Sequence, residues 1–227
     1  MSAGSLLAVA AVSFALTDGD ETRRRLILAL TAIWGTRLGA YLFRRWRHRG
    51  PDPRYEAMLR RVTGSRNTFT LTRIFLAQGA LMWIVSLPVQ LGQVYARPAG
   101  MTAQAYAGFV LCAAGILLES AADAQLVRFR GDAASEGKVM DRGLWRYSRH
   151  PNYFGEACVW WGLLLIALTN ATTAAAVAGP VTITTLLLRW SGIGPLERRL
   201  RKRRPAYEEY ARRTSAFVPL PPKRPAR

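Results

Sequence analysis

The sequence has almost no cysteine and almost no histidine: two of each in 227 residues. Cys112 and Cys158 sit inside separate apolar blocks. Thiols so placed suit core packing and exclude a disulfide framework or a Cys/His cluster. With His48 and His150 as the only imidazoles, a histidine zinc site is not expected, and no metal is assigned. Acid is scarce too. There are 14 Asp and Glu against 32 Lys and Arg, a formal charge of +18. No internal repeat is visible, and Pro219–Pro225 reads as an irregular tail.

What is present is apolar bulk: 50% of the residues are hydrophobic. A soluble nucleic-acid binder of this basicity rarely carries so much, so nucleic acid is not expected as a partner. The two properties coexist because the apolar residues come in blocks with the charges between them. A helix crosses the hydrocarbon core with about 20 mostly apolar residues. Segments at roughly 26–43, 74–95, 102–124, 153–170 and 172–190 fit or nearly fit. A sixth, 4–17, is apolar but short, and it lacks the positive flank of a signal peptide. The expected fold is therefore all-α: one integral membrane domain over 1–227, a polytopic bundle of five to six spans. It has a short N-terminal helix in 1–17, a cytoplasmic loop over 125–152 and a cytoplasmic tail over 195–227.

Basic residues in short loops mark the cytoplasmic face. Arginines are dense from Arg44 to Arg73, from Arg128 to Arg149, and after Trp190, whereas the loop between 95 and 102 holds only Arg97. Both long loops and the C-terminus are thus expected to be cytoplasmic, at the inner membrane. Arg23, Arg24 and Arg25 break the pattern, in a loop shared with Asp18, Asp20 and Glu21. Part of the basic charge is explained by topology and by anionic lipid.

Ionisable groups within spans cost several kcal/mol unless paired or hydrated, so each is a candidate for function. Arg37, Glu119, Asp123, Glu156 and Arg189 stand out. Glu119 and Asp123 are four apart and share one helix face. Each of the five falls near the cytoplasmic end of its span, so they can converge at one depth. A set of ion pairs locking the bundle is the plainer alternative. Asp141–Glu156 is denser still, reading DRGLWRYSRHPNYFGE. Pro151 suits the first turn of a helix. Arg146 and Arg149 precede that N-terminus, whose free N–H groups and positive dipole end favour anions. Asn152 adds an amide; Tyr147 and Tyr153 add flat faces and hydroxyls. The set suits a nucleotide carrying phosphates; a lipid-headgroup loop would need only the arginines.

The run Gly143–Glu156, followed by Trp160-Trp-Gly, resembles the C-terminal signature of the steroid 5α-reductase superfamily, most closely its bacterial branch. Further matches are Trp34-Gly-Thr-Arg37-Leu, Arg47-His-Arg-Gly50 with Asp52-Pro-Arg-Tyr55, Ser86-Leu-Pro88 and Glu119–Gln125. Leu188-Arg189-Trp-Ser-Gly192, Leu196-Glu197, Tyr207–Tyr210 and Thr214–Pro219 complete them. The resemblance implies a membrane reductase in which NADPH reduces a carbon–carbon double bond conjugated to a ketone. It implies cofactor contacts at Asn152 and Glu156, and a pocket lined by Asp123, Arg130, Trp160 and Arg189. Together with the charge placement, the cofactor-binding set is Glu119, Asp123, Arg130, Arg146, Tyr147, Arg149, Asn152, Glu156, Trp160 and Arg189. The family also uses a Gln-Glu pair on an early helix and a Tyr on the next to polarise the substrate. Residues 1–17 offer no acid, and Arg37 stands where the Tyr is expected. The N-terminal helix thus reads as short or truncated, and Arg37, Tyr41 or Gln78 are the candidates for the catalytic hydrogen-bond donor.

Three functions stand. The first is an NADPH-dependent enone reductase whose apolar substrate, steroid- or isoprenoid-like, enters from the lipid membrane. The second is an S-adenosylmethionine-dependent methyltransferase, because isoprenylcysteine carboxyl methyltransferases share the Arg-Tyr-x-Arg-His-Pro-x-Tyr core. The third is a non-catalytic membrane protein that lacks the N-terminal catalytic helices. Asn152-Tyr-Phe-Gly-Glu156 with Trp160 favours the first.

Overall fold

A computed structural model describes residues 3–49, 65–190 and 192–223. Gly50, Asp52–Tyr55 and Ser191, named above, lie outside the described residues. The described chain is all-helical, apart from one isolated bridge between Ser148 and Ser215. In chain order the helices are α1 (Ala3–Leu16), α2 (Glu21–Arg49), α3 (Arg66–Phe69), α4 (Ala77–Val85) and α5 (Leu87–Leu91). They continue as α6 (Ala103–Gly131), α7 (Pro151–Ala167), α8 (Ala178–Thr185), α9 (Ile193–Arg203) and α10 (Tyr207–Arg213). Segments of π-helix join α3 to α4 (Thr70–Leu76) and follow α8 (Leu186–Trp190).

Among the described residues three helical stretches are long and apolar enough to cross a membrane: Glu21–Arg47, Ala103–Gly131 and Thr172–Arg203. Gly4–Leu16 and Thr70–Val85 are apolar but shorter. Leu16, Leu117 and Trp190 are 70% or more exposed. Large apolar side chains facing outward are what a lipid solvent accommodates and water does not. Two boundaries differ from those expected. The apolar segment 74–95 is broken at Ser86, because Pro88 in the first turn of α5 has no N–H to continue a ladder. The segment 102–124 runs on to Gly131. Residues 125–130 include good helix formers and no glycine or proline. Arg128 and Arg130 therefore ride the last turn of α6, where cations suit the negative dipole end.

The chain divides into two compact units, Met1–Thr102 with Ala167–Gly179, and Ala103–Ile166 with Pro180–Arg227. In the first, α1 and α2 pack as a hairpin against α5. Leu6, Ala10, Ile27, Leu30, Trp34, Val85 and Val89 are buried in this unit. Asp20 caps α2: its Oδ1 accepts from the Arg23 amide at 2.9 Å and its Oδ2 from the Gly100 amide at 2.8 Å. Gly19 is required beside it, since a Cβ there would lie 2.2 Å from the Gln93 carbonyl oxygen. The three arginines that break the charge pattern are all engaged here. Arg23, 2% exposed, donates to the carbonyls of Gly92, Pro98 and Tyr95. Arg24 lies 4.5 Å over the Phe14 ring and donates to the Phe14 carbonyl. Arg25 pairs with Glu21 at 2.6 Å.

In the second unit, α6 and α7 meet backbone to backbone. A Cβ on Gly108 would sit 2.7 Å from the Gly162 carbonyl oxygen, and one on Gly115 2.6 Å from that of Gly155. The glycines lie seven apart on each helix, two turns, and pair in opposite order, so the helices run antiparallel. Small residues let helix backbones approach this closely, and dispersion then acts along the whole seam.

Candidate functional site

The glycine seam decides what stands beside the start of α7. With Gly155 against the Glu119 backbone, the acidic turns of α6 lie along the first turns of α7. Glu119 and Asp123 are 3% and 5% exposed. Asp123 Oδ1 accepts from Asn152 Nδ2 at 3.2 Å. Asn152 Oδ1 is buried and has no hydrogen-bond partner. An unmet buried acceptor costs about 1–3 kcal/mol, so it is a place for a ligand donor. Glu156 lies one turn further along α7, half-buried, and Trp160 is fully buried beyond it.

The segment leading into α7 is irregular, and its polar groups are met from two directions. From α6, Gln125 Oε1 accepts the Leu144 amide at 3.0 Å, and the Ala122 carbonyl accepts Trp145 Nε1 at 3.1 Å. Gly143, at φ +57°, makes the turn that this needs. From the C-terminal side, the Ser215 carbonyl accepts the Arg149 amide at 2.8 Å. The Phe217 carbonyl accepts Ser148 Oγ at 2.7 Å, and the Tyr210 hydroxyl donates to the Trp145 carbonyl at 2.5 Å. Arg213 pairs with Asp141 at 2.5 Å, and Phe154 meets Phe217 edge to face. Residues 207–220, expected as part of a tail, therefore clasp this loop.

Arg149 serves that clasp. Its Nε and Nη2 hold the two oxygens of Glu197 at 2.7 and 3.2 Å, and its Nη1 donates to the carbonyls of Ala211 and Thr214. A guanidinium so engaged has no fork left for a phosphate. Its neighbour His150 is 2% exposed and contacts Glu197 Oε1 at 3.2 Å. Burial pushes the imidazole below its ordinary pKa, against the pull of the Glu197 carboxylate, so it is neutral at pH 7.

Of the other residues selected from sequence, Arg130, Arg146, Tyr147 and Arg189 are exposed, and Arg189 lies on the second π-segment. Arg149, by contrast, is committed to Glu197 and two carbonyls. Arg37, Tyr41 and Gln78 belong to the first unit, half-buried on α2 and α4. A cavity of about 400 Å³ opens beside loop 132–142 and is lined by none of the selected residues. Its charges, Lys138, Arg142 and Arg213 against Asp132, Asp141 and Glu209, balance and give it no preference for an anion. Among the described residues no cluster of His, Cys, Asp and Glu could hold a metal. Sequence reasoning missed the clasp. Its signal was Tyr207, Tyr210 and Phe217 after Arg204, where a solvated tail has no need of aromatic residues.

A family profile described as a protein of unknown function, DUF1295, matches residues 1–214. No curated protein and no solved structure matches the chain.

Proposed function

The chain belongs to the DUF1295 family, and from that premise we propose that it is a membrane reductase of steroid 5α-reductase type. It binds NADPH at the start of α7 and reduces the double bond of an apolar enone. The observation that carries this is the Asp123–Asn152 contact, which leaves the Asn152 Oδ1 acceptor buried and unmet. That acceptor suits a carboxamide or a ribose hydroxyl. Asn152 and Glu156 would hold the cofactor, whose chemistry is hydride delivery; the protein orients it and tunes the surrounding charge. Asp123 fixes the rotation of the Asn152 amide. Exposed Arg130, Arg146 and Arg189 are the candidates to meet phosphates. Reduction also needs a donor to the enolate oxygen in a dry site; Arg37, Tyr41 and Gln78 are the residues to substitute in testing for it.

The same proposal takes the shorter apolar helices and α7 as spans, giving five to six in all. It puts the basic loops and the C-terminus on the cytoplasmic side of the inner membrane. Local engagement of Arg23, Arg24 and Arg25 supports that orientation, since Arg24 and Arg25 pair with Glu21 and Arg23 is held by carbonyls.

One observation favours the methyltransferase alternative: the commitment of Arg149 to Glu197 thins the anion cluster that argued for phosphates. A titration separates the two. Purified protein in detergent is expected to bind NADPH in preference to NADH, with S-adenosylmethionine failing to compete. Asn152→Ala and Glu156→Gln should each weaken NADPH binding about tenfold or more, and Lys223→Ala should not change it. Binding of S-adenosylmethionine without NADPH would reverse the assignment. NADPH binding no better than to a charge-matched membrane protein would end it.

A further inference from the structure

Resting on that reading, we infer that Glu197 is the positioning residue of the cofactor site, although it lies on α9 and not on the helix that carries Asn152 and Glu156. Its two carboxylate oxygens grip Arg149, and Oε1 also meets His150. Arg149 and His150 are the two residues immediately before Pro151, the first residue of α7. The His150 carbonyl accepts the first hydrogen bond of that helix, from the Phe154 amide at 3.1 Å. Pro151 has no N–H, so backbone bonding does not restrain the chain at that point. The entry angle of α7, and with it the position of Asn152, is set by what holds the two preceding residues.

Those holds come from one side. The Arg149 amide goes to Ser215, the His150 amide to Ser148 Oγ, and Ser148 Oγ to Phe217. The ring of His150 stacks on Tyr153 at 5.4 Å. Of these contacts only Glu197 supplies a full opposite charge, and it supplies it to a side chain that is 11% exposed. Charge-assisted pairs with two parallel bonds fix orientation as well as distance. Arg201, one turn along the same helix, stands 3.9 Å from the carboxylate. Asp123 then holds Asn152 from α6, and the amide is located by two carboxylates on two helices.

The test uses the full chain in nanodiscs, with Glu197→Gln and Glu197→Asp beside the natural sequence. Gln keeps the shape and loses the charge; Asp keeps the charge on a shorter arm. Hydrogen exchange over residues 143–156 reads positioning without any ligand, and NADPH titration reads its consequence. In Glu197→Gln, exchange over 143–156 is expected to accelerate about tenfold while α6 keeps its protection, and NADPH binding to weaken by a similar factor. Glu197→Asp is expected to recover most of both. Unchanged exchange in Glu197→Gln overturns the inference, as does acceleration spread evenly over α6 and α7. So does equal behaviour of the Gln and Asp variants, which is what a space-filling role gives. If the natural chain binds no NADPH, the reductase assignment falls, and the exchange measurements alone decide whether Glu197 positions α7.

Discussion

Arg23, buried, and Arg149, nearly so, both tie a helix start to a distant segment, and they do it with different partners. Arg23, in the first unit, donates to three carbonyls and meets no carboxylate face to face. Arg149, in the second, meets two carbonyls and both oxygens of Glu197. Backbone dipoles cannot titrate and do not move without unfolding the segment that carries them. A carboxylate on another helix can be lost by one substitution, and here it also holds a buried imidazole. The first unit therefore has a static lock. The second has a lock made of groups that answer to charge, beside the residues selected for chemistry.

The largest effect should come from removing the charged lock. Arg149→Met leaves the buried Glu197 carboxylate with only Arg201, at 3.9 Å, as a cation, at a cost of up to about 3–5 kcal/mol. Arg23→Met leaves carbonyls that water can partly reach, at about 1–3 kcal/mol. Thermal unfolding in detergent should rank the two variants in that order. Adding Glu197→Leu to Arg149→Met should restore much of the loss, since removing both charges is cheaper than stranding one. Equal losses for the two arginines, or no recovery in the double variant, would erase the distinction between the locks.

The apolar blocks and the Gly143–Glu156 motif were legible because both are local patterns. A run of apolar residues announces a span, and a proline after basic residues announces a helix start. The role of Arg149 was not legible. Its partner lies 48 residues away, and a fork aimed at a carboxylate reads the same in sequence as one aimed at a phosphate. The surplus positive charge at Arg23–Arg25 was unexplained for the same reason: carbonyl acceptors leave no mark in a sequence. Asp123 and Asn152 were both candidates from sequence, yet their contact follows from the glycine seam. Its seven-residue spacing was visible but resembles the scattered glycine common in apolar helices.

That seam gives the next effect in size, and it confines the damage to the second unit. A Cβ on Gly155 would lie 2.8 Å from the Glu119 amide nitrogen and from the Gly115 carbonyl oxygen, both backbone atoms that cannot swing aside. Gly155→Val should force α6 and α7 apart, costing at least the usual 1–3 kcal/mol, roughly, of an overpacked core. Exchange should accelerate along α6 and α7 with little change in α1 and α2. A Cβ on Gly131 would meet nothing within 4 Å, so Gly131→Ala is the matched control and should leave the melting temperature where it was. Comparable loss at both glycines would mean that the contact along α6 and α7 is not what holds them.

The smallest effect separates the two units by pH. Asp20 of the first unit is pushed up by burial, but the amides of Gly100 and Arg23 and the Arg23 charge outweigh this and leave its pKa below 3.8. A depressed carboxyl contributes stability above its unfolded value, about 3.9, and loses it as pH falls through the lower folded value. His150 of the second unit is depressed as well, chiefly by burial, but as a base. Its unfolded form takes up a proton near pH 6.5 while the folded form resists. Folded and unfolded chains then differ in bound protons below that point, so its contribution is intact above about 6.5 and declines as pH falls further. The second unit should therefore begin to lose exchange protection between pH 6.5 and 5, while the first holds until about pH 4. His150→Gln cannot take the proton, and it should flatten the upper step without touching the lower. An upper step of the same size in that variant would move the titration away from His150 and leave the two locks alike in their response to acid.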